Sequence, residues 1–165
     1  MKTDLERFDL QCSTDMVELF STDEVIRKEL GLENKKFSVE EEYKFVTDWC
    51  EKTNSAQYVI RYGNEFAGMI SLSHIDEKLR TARIGYWVGS RFRNKGICSE
   101  AFMLILDIAI DKGIVEVKSD IDKDNSYSLK VWEKYSPEIV EKNEKQYSVR
   151  FNITDHIKSG CDTIK

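Results

Sequence analysis

The most distinctive chemical feature of the sequence is a short basic loop, RFRNKGICSEA at residues 91–101, in a chain that is acidic overall. Arg91, Arg93 and Lys95 surround Gly96, and a long apolar run follows directly. A helix that begins here presents unpaired backbone N–H groups and the positive end of its dipole to the loop. These residue types in this order predict an anion-binding site at the start of a buried helix.

Other polar side chains with catalytic potential lie elsewhere in the chain. His74 and Asp76 end the segment EFAGMISLSHID, and Glu100 lies early in the helix that follows the basic loop. A histidine or carboxylate can remove a proton from an attacking group when it lies within hydrogen-bond reach. His74, Asp76 and, through a water, Glu100 are therefore the candidate general bases, and the sequence does not choose among them.

Capping patterns predict three helices in the first third of the chain. Residues 13–14 can cap a short helix that ends at Phe20, after a first strand at residues 5–10. Residues 21–24 and 38–41 both fit the S-x-x-E capping box, in which each side chain satisfies a backbone donor at the helix start. The sequence thus predicts two further helices, which begin at these boxes.

The hydrophobic period changes from helical to alternating at Ala56, which is typical of strands. The pair Gly63-Asn64 predicts a tight hairpin, and residues 81–89 add a third antiparallel strand. Then follow a helix over residues 96–112, a strand over 115–122, a helix from Asp124 or Asn125 to Tyr135, and a hairpin that ends with YSVRFNI. This order predicts an α/β (α+β) fold with a central mixed, mostly antiparallel sheet of about six or seven strands, flanked by helices, with one strand-helix-strand crossover.

Length and composition predict one domain over residues 1–165, since no Pro/Gly/Ser-rich linker or repeat divides the chain. The polar tail after about residue 154 is expected to be disordered or to pack on a second subunit, and both a monomer and a homodimer stay open.

Net charge and the spacing of the cysteines argue against several classes of partner and ligand. The net charge of −5 argues against a nucleic-acid binder, which needs a broad basic face. The four cysteines form no CxxC pair and have no histidine at ligand spacing, so neither a metal site nor a disulfide framework is expected. Without a long apolar segment the sequence predicts no membrane partner and a cytoplasmic protein.

Two segments together resemble a known family. IGYWVGSRFRNKGICSEAFMLILDIA followed by DKDNSYSLKVWEKY resembles the GNAT superfamily of acetyl-coenzyme A (acetyl-CoA) dependent N-acetyltransferases, and more closely its ribosomal-protein alanine acetyltransferase-like branch. The family loop Q/R-x-x-G-x-G/A maps onto residues 91–96, with Asn94 at the middle glycine; asparagine tolerates positive φ better than most residues. The family segment N-x-x-S maps onto Asn125 and Ser128, and Trp132 stands where many relatives have a tyrosine.

The resemblance implies roles for these residues. Backbone N–H groups of the loop would cradle the coenzyme pyrophosphate, and the strand around Trp87 and Val88 would pair with the pantetheine arm. Asn125 would bond the same arm, and Ser128 would assist the leaving thiolate. The cofactor-binding residues expected on this basis are Trp87, Val88, Arg91, Arg93, Asn94, Lys95, Gly96, Ile97, Cys98 and Asn125, and the catalytic candidates are Ser128 and His74.

The function implied by the resemblance is N-acetylation. Acetyl-CoA would donate its acetyl group directly, in a ternary complex, to a primary amine on a protein N terminus or a small molecule. One alternative is a GNAT-shaped module that binds an acyl-CoA without transferring anything, because Asn94 and Trp132 depart from the family pattern. Another is an unrelated nucleotide-phosphate binder, although the chain lacks a G-x-x-x-x-G-K-[ST] loop.

Overall fold

One central β-sheet organises the protein in the computed structural model, which describes residues 1–155. The strands are β1 (Thr3–Arg7), β2 (Ala56–Tyr62), β3 (Glu65–Asp76), β4 (Thr81–Val88), β5 (Glu116–Asp122), β6 (Glu138–Glu141) and β7 (Gln146–Asn152). Within these residues they pair in the order β1-β2-β3-β4-β5-β7-β6, and every pair is antiparallel except β4–β5. The predicted mixed, mostly antiparallel sheet is therefore confirmed.

Helices cover both faces of this sheet. They are α1 (Leu10–Thr22), α2 (Glu24–Glu29), α3 (Val39–Thr53), α4 (Ile97–Asp111) and α5 (Ser126–Glu133). Successive side chains of a strand point to opposite faces. On β4, Tyr86 packs edge-on against Phe102 of α4, with ring centroids 6.1 Å apart. The next residue, Trp87, stacks on Phe20 of α1 at 5.3 Å, so α1 and α4 lie on opposite faces.

The strand-helix-strand crossover runs through α4, as the sequence predicts. Ala101, Phe102 and Ile105 are fully buried, because almost every face of this helix is covered. Full burial of a large apolar side chain stabilises a fold by about 1.5–3 kcal/mol. The apolar run therefore anchors α4 and holds its first turn beside the end of β4.

The first elements differ from the sequence prediction. β1 ends at Arg7, and α1 begins at Leu10 under a cap from Asp9, whose carboxylate accepts a hydrogen bond from the Cys12 N–H at 2.8 Å. The predicted cap at residues 13–14 is wrong, because Ser13 is buried and donates its hydroxyl to the Val39 carbonyl at 2.8 Å. A tertiary contact uses the serine that would otherwise cap the helix.

Of the two helix starts predicted from capping boxes, one is confirmed. Ser38 caps α3 by accepting a hydrogen bond from the Glu41 N–H at 3.5 Å. The box at residues 21–24 is wrong: Ser21 lies within α1 and donates to the Val17 carbonyl, and Asp23 caps α2 instead. A carboxylate at the actual helix boundary replaces the serine two positions earlier.

Later elements agree with the sequence closely. Tyr62 and Glu65 pair across the predicted Gly63-Asn64 turn, and Asn125 caps α5. Gly113, with φ +77°, follows the end of α4. The tail predicted to follow residue 154 lies, apart from Asp155, outside the described residues. None of the helices within residues 1–155 is long and apolar enough to cross a membrane.

Candidate active site

A cleft of about 700 Å³ opens where β4 and β5 separate. The two parallel strands pair only through residues 81–83 and 116–118. From Ile84 to Val88, β4 has no described strand on that side, although β3 still pairs with its other edge. The cleft is lined by α2, the end of β4, the following loop, the first turn of α4, the end of β5 and α5.

The basic loop adopts the tight conformation that the family pattern requires. Gly89 N–H donates to the Ala67 carbonyl at 2.8 Å, which fixes the point where the chain leaves the sheet. A 3-10 turn over Ser90–Phe92 follows. Asn94 then takes φ +60° and Gly96 takes φ +78°. Both residues lie in the left-handed region, which asparagine adopts more readily than most other residues with a side chain.

The N terminus of α4 faces the cleft through Gly96, Ile97 and Cys98. Within residues 1–155, no side chain caps this helix end. The first backbone N–H groups of a helix have no partner inside the helix, and here they coincide with the positive end of a 15-residue dipole. This end of α4 is therefore suited to a phosphate group.

Arg93 is the loop cation that lines the cleft, and it is bound to Glu29 of α2. Its guanidinium donates two hydrogen bonds to the carboxylate, at 2.9 Å and 2.5 Å. The hydrogen bond to Glu29 raises the pKa of Arg93 above its ordinary value. A bidentate arginine of this kind matches a phosphate as well as a carboxylate.

Asp23 holds the loop and α2 together. Its buried carboxylate accepts hydrogen bonds from the Ile26 N–H at 3.1 Å and the Ser90 N–H at 2.6 Å. Burial alone would raise the pKa of Asp23, but these two hydrogen bonds, with help from Arg93, bring it below its ordinary value. Asp23 therefore stays ionised and fixes the backbone at Ser90, directly before the loop.

The other two loop cations point away from the cleft. Arg91 lies 3.4 Å from Glu65 at the β2–β3 turn, and Lys95 lies over the rings of Tyr62 and Phe92. Neither residue lines the cleft. The structure thus separates Arg93 from the two basic residues that the sequence placed beside it.

The backbone of β4 directs the Val88 N–H toward the cleft. A Cβ on Gly68 of β3 would lie 2.1 Å from the Trp87 carbonyl oxygen, so that carbonyl points toward β3. In a trans peptide the next N–H points the opposite way, and the described chain has no cis peptide bond. The Val88 N–H therefore points toward the gap between β4 and β5.

Two hydroxyl groups meet on the floor of the cleft. The Tyr86 and Ser128 oxygens lie 2.8 Å apart, and both residues line the cleft. Ser128 sits in the first turn of α5, where its N–H donates to the Asn125 side chain at 3.1 Å. Burial raises the pKa of Tyr86, and the hydrogen bond with Ser128 only partly opposes that rise.

Trp132 and Cys98 complete the surroundings of these hydroxyls. Trp132 is fully buried, and its Nε1 has no hydrogen-bond partner within residues 1–155. Burial raises the pKa of Cys98 to about 11, although Arg93 acts in the opposite direction. Cys98 therefore stays a neutral thiol near neutral pH and is unsuited to act as a nucleophile.

The candidate bases named from the sequence do not reach the cleft. His74 lies near the far end of β3, where its backbone N–H donates to the Ser55 hydroxyl. Asp76 accepts two backbone hydrogen bonds in the β3–β4 turn, and Glu100 accepts one from Thr3 of β1. The loop, β4 and α5 residues meet at the cleft, whereas His74, Asp76 and Glu100 lie outside it.

The sequence gives little sign of Tyr86 and Glu29, which line the cleft, or of Asp23, which anchors the backbone just before the loop. Tyr86 reads as a strand aromatic, Glu29 as an exposed helix residue and Asp23 as part of a misplaced capping box. The signal that could have found Asp23 was local, since an aspartate before E-V-I-R-K is a good N-cap. Tyr86 contacts Ser128, and Glu29 contacts Arg93. Both partners are distant in the sequence, so no local pattern reveals these contacts.

A comparison with protein families decides the identity of the fold. The family described as the acetyltransferase (GNAT) domain matches residues 4–136, which include the loop, the cleft and α5. The chain belongs to the GNAT acetyltransferase family. The resemblance inferred from the loop and from N-x-x-S is therefore confirmed, and this GNAT protein is an acetyltransferase by family.

One curated relative and several solved structures resemble this GNAT protein. YdaF of Bacillus subtilis (strain 168), whose name describes a ribosomal N-acetyltransferase, is 31% identical over 70 residues, which are 41% of this chain and 38% of YdaF. RimL, a ribosomal L7/L12 α-N-protein acetyltransferase solved with coenzyme A, has a TM-score of 0.75 at 19% identity and covers 92% of this chain and 94% of its own.

Two further solved structures carry different names. MccE, a microcin C7 self-immunity acetyltransferase solved with acetyl-CoA and AMP, has a TM-score of 0.73 at 19% identity, over 92% of both chains. A chimera of the spermidine N-acetyltransferase SpeG from Vibrio cholerae has a TM-score of 0.73 at 12% identity, over 95% of this chain and 99% of its own. At these identities the likeness establishes the fold.

Proposed function

We propose that this GNAT protein transfers the acetyl group of acetyl-CoA directly to a primary amine while both substrates are bound. The observation that carries the proposal is the cleft between β4 and β5, where a free strand edge adjoins the uncapped N terminus of α4. An extended, amide-containing arm can add to a strand edge through backbone hydrogen bonds. A pyrophosphate at the end of that arm would then lie at the helix N terminus.

The residues around the cleft suit this coenzyme. Cations reach it from two walls, with Arg93 in the loop, Lys130 on α5 and Lys134 directly after α5. The Asn125 oxygen is used in capping α5, which leaves its amide N–H groups for the pantetheine arm. We assign the pyrophosphate to the backbone of residues 93–98 and to Arg93, and the arm to β4 and Asn125.

The chemistry requires few further groups. Bound acetyl-CoA supplies a thioester, whose carbonyl carbon a neutral amine can attack. The Val88 N–H points toward the gap beside β4 and is our candidate donor to the negative charge that develops on the thioester oxygen. Correct positioning of two reactants can lower a barrier by about 7–11 kcal/mol relative to free encounter.

The acceptor is a primary amine, either a protein N terminus or a small molecule. RimL is named for a protein N terminus and SpeG for spermidine, and both share this fold. Chemistry common to the two requires only an uncharged amino group beside the thioester. We further propose a cytoplasmic location, which the free thiols of Cys12, Cys50 and Cys98 support.

A thermal unfolding scan with acetyl-CoA, coenzyme A and ATP in parallel tests the cofactor. Either coenzyme at a hundred times its dissociation constant should raise Tm by roughly 5–10 °C, while ATP should not. No shift with either coenzyme would refute the proposal.

Turnover is tested next with a panel of small amines and N-terminal peptides. Initial rates at varied concentrations of both substrates should give intersecting lines in a double-reciprocal plot, as direct transfer requires. Parallel lines would contradict the ternary complex, and coenzyme binding without any turnover would support the non-catalytic acyl-CoA module.

A further inference from the structure

We propose that Asp122 binds the ammonium group of the acceptor and places it beside the thioester, from the face of the sheet opposite α4 and α5. The inference rests on the proposed function, since it assigns a residue of the same cleft to the second substrate. Asp122 is the last residue of β5 and lines the cleft. Its place in the sheet and its lack of a cationic partner carry the argument.

An ion pair shows on which face of the sheet Asp122 lies. Arg83 of β4 donates to Asp120 of β5 at 2.6 Å, so these two side chains share one face. Side chains two positions apart on a strand point to the same face. Asp122 therefore shares its face with Arg83 and with Trp87, which stacks on α1. The α4 and α5 helices, where the proposed coenzyme contacts lie, cover the other face.

The strand register places Asp122 level with the reacting bond. Arg83 pairs with Lys118 in the parallel part of the sheet, and the two strands separate after this pair. Continued along both strands, the same register brings Trp87 opposite Asp122. The next residue, Val88, carries the N–H that is our candidate donor to the thioester oxygen. An amine bound to Asp122 would therefore face the thioester across the gap.

The charge of Asp122 is uncompensated, unlike that of its neighbour on the same face. Asp120 is bound by Arg83 at 2.6 Å and by Lys142 at 2.7 Å. Within residues 1–155, the Asp122 side chain has one partner, the neutral amide of Gln146, which donates to Oδ1 at 2.9 Å. This amide orients the carboxylate and leaves Oδ2 free to accept. An ammonium group supplies both the missing charge and the missing donor.

The charges along the cleft are divided in a way that suits two substrates of opposite sign. Arg93, Lys130 and Lys134 lie on the side proposed for the coenzyme, and Asp122 and Asp124 lie at the end of β5 and in the turn after it. Such a division attracts a cationic acceptor to the β5 side. A carboxylate favours the charged form of a nearby amine. We therefore assign Asp122 to binding and placing the acceptor and not to removing its proton.

The test compares two acceptors of the same shape and different charge, n-butylamine and O-propylhydroxylamine. At neutral pH the first is an ammonium ion and the second is uncharged. Asp122→Asn should lower kcat/KM for n-butylamine by about ten- to hundredfold, mainly through a higher KM, because a hydrogen bond between two charged groups is lost. The loss for O-propylhydroxylamine should be only a few-fold, and calorimetry should show unchanged acetyl-CoA affinity. A probe that is not acetylated is measured by the same criterion, as a competitive inhibitor of the best acceptor in the amine panel.

Glu116→Gln is the matched control, because Glu116 begins the same strand, points to the same face and lies outside the cleft. It removes the same charge and should change neither value of kcat/KM. Asp122→Glu keeps the charge and should retain more activity toward n-butylamine than Asp122→Asn. Equal losses for the two probes in Asp122→Asn, or a larger loss for n-butylamine in Asp124→Asn, would overturn the proposal. A wild type that binds acetyl-CoA and acetylates no amine would instead refute the proposed function.

Discussion

Arg93 has one observed partner, Glu29, and one proposed partner, the coenzyme pyrophosphate, for the same guanidinium. In the structure its guanidinium is occupied by Glu29, through two hydrogen bonds that join the loop to α2. A phosphate would need the same planar donors. Coenzyme binding would therefore exchange one bidentate partner for another and release the Glu29 carboxylate at the wall of the cleft.

Replacement of Arg93 by glutamate should weaken acetyl-CoA binding by at least about tenfold, since it places a negative charge beside the phosphates. Isothermal titration calorimetry measures the affinity. Arg91→Glu is the matched control, because Arg91 carries the same charge on the same loop but lies outside the cleft. Equal losses in the two variants would contradict our placement of the pyrophosphate.

Among single residues, the sequence predicts those whose role depends on residues next to them in the sequence. Asn94 and Gly96 belong to a local turn, so the pattern Q/R-x-x-G-x-G/A suffices to find them. Tyr86 and Ser128 are separated by 42 positions, and Arg93 and Glu29 by 64. Such pairs depend on the packing of whole elements, which no short pattern records.

Among the elements, β3 and β4 pack tightly at Gly68, where no side chain fits between the strands. The Trp87 carbonyl fills the space where any other residue would place its Cβ. This contact sets the orientation of the last peptides of β4, and thereby the direction of the Val88 N–H. A glycine outside the cleft thus controls a donor inside it.

Gly68→Ala should destabilise the fold by about 1–3 kcal/mol, because the backbone of one strand must shift. The same shift should weaken coenzyme binding by turning the Val88 peptide. Gly85→Ala tests the specificity of this effect, since a Cβ there would lie an ordinary 3.6 Å from the Ser71 hydroxyl. Thermal unfolding and calorimetry compare the two, and a Gly68→Ala protein that behaves like Gly85→Ala would refute the argument.

Asp23 makes the joint between α2 and the loop sensitive to acid. Its folded pKa is lowered, so its stabilisation is complete above the unfolded pKa of about 3.9 and is lost as the pH falls through the folded value. Asp23→Asn should cost about 1–2 kcal/mol at pH 7, because its amide N–H group would face the Ser90 N–H.

The difference in Tm between wild type and Asp23→Asn should therefore shrink as the pH falls below about 4. Asp48→Asn, at an exposed position on α3, serves as the control and should change Tm little at any pH. A Tm difference for Asp23→Asn that stays constant from neutral to acid pH would contradict this account.

The sequence predicts the strands and helices better than their starting residues. Alternation and helical period extend over many residues, so the order of elements survives local errors. A helix start depends on which of several nearby polar residues is free to cap it. Ser13 is buried against the start of α3 and Asp9 caps in its place, a choice that only the packed structure reveals.

At the scale of the whole molecule, the central sheet has two parts that share only a short stretch of strand pairing. Strands β1–β4 form one part and β5–β7 the other, joined by three residue pairs between β4 and β5 and by the crossover through α4. The proposed coenzyme site touches both parts. A bound coenzyme would therefore contact both parts of the sheet at the cleft, where β4 and β5 no longer pair with each other.

Hydrogen exchange should show this connection. Acetyl-CoA should slow exchange in residues 86–98 of the first part and in residues 122–131 of the second, because both line the cleft. The β2–β3 hairpin, whose turn lies away from the cleft, serves as the internal reference and should not change. Protection confined to one part would argue that the ligand does not span the cleft.

The free edge of β4 also bears on how the protein behaves at high concentration. Five residues in the middle of the sheet, Ile84 to Val88, present backbone groups that any extended chain can pair with. Native proteins shield such edges because they recruit other copies and start aggregates. Coenzyme bound along β4 would shield this one, so saturation with coenzyme A should also suppress self-association during storage.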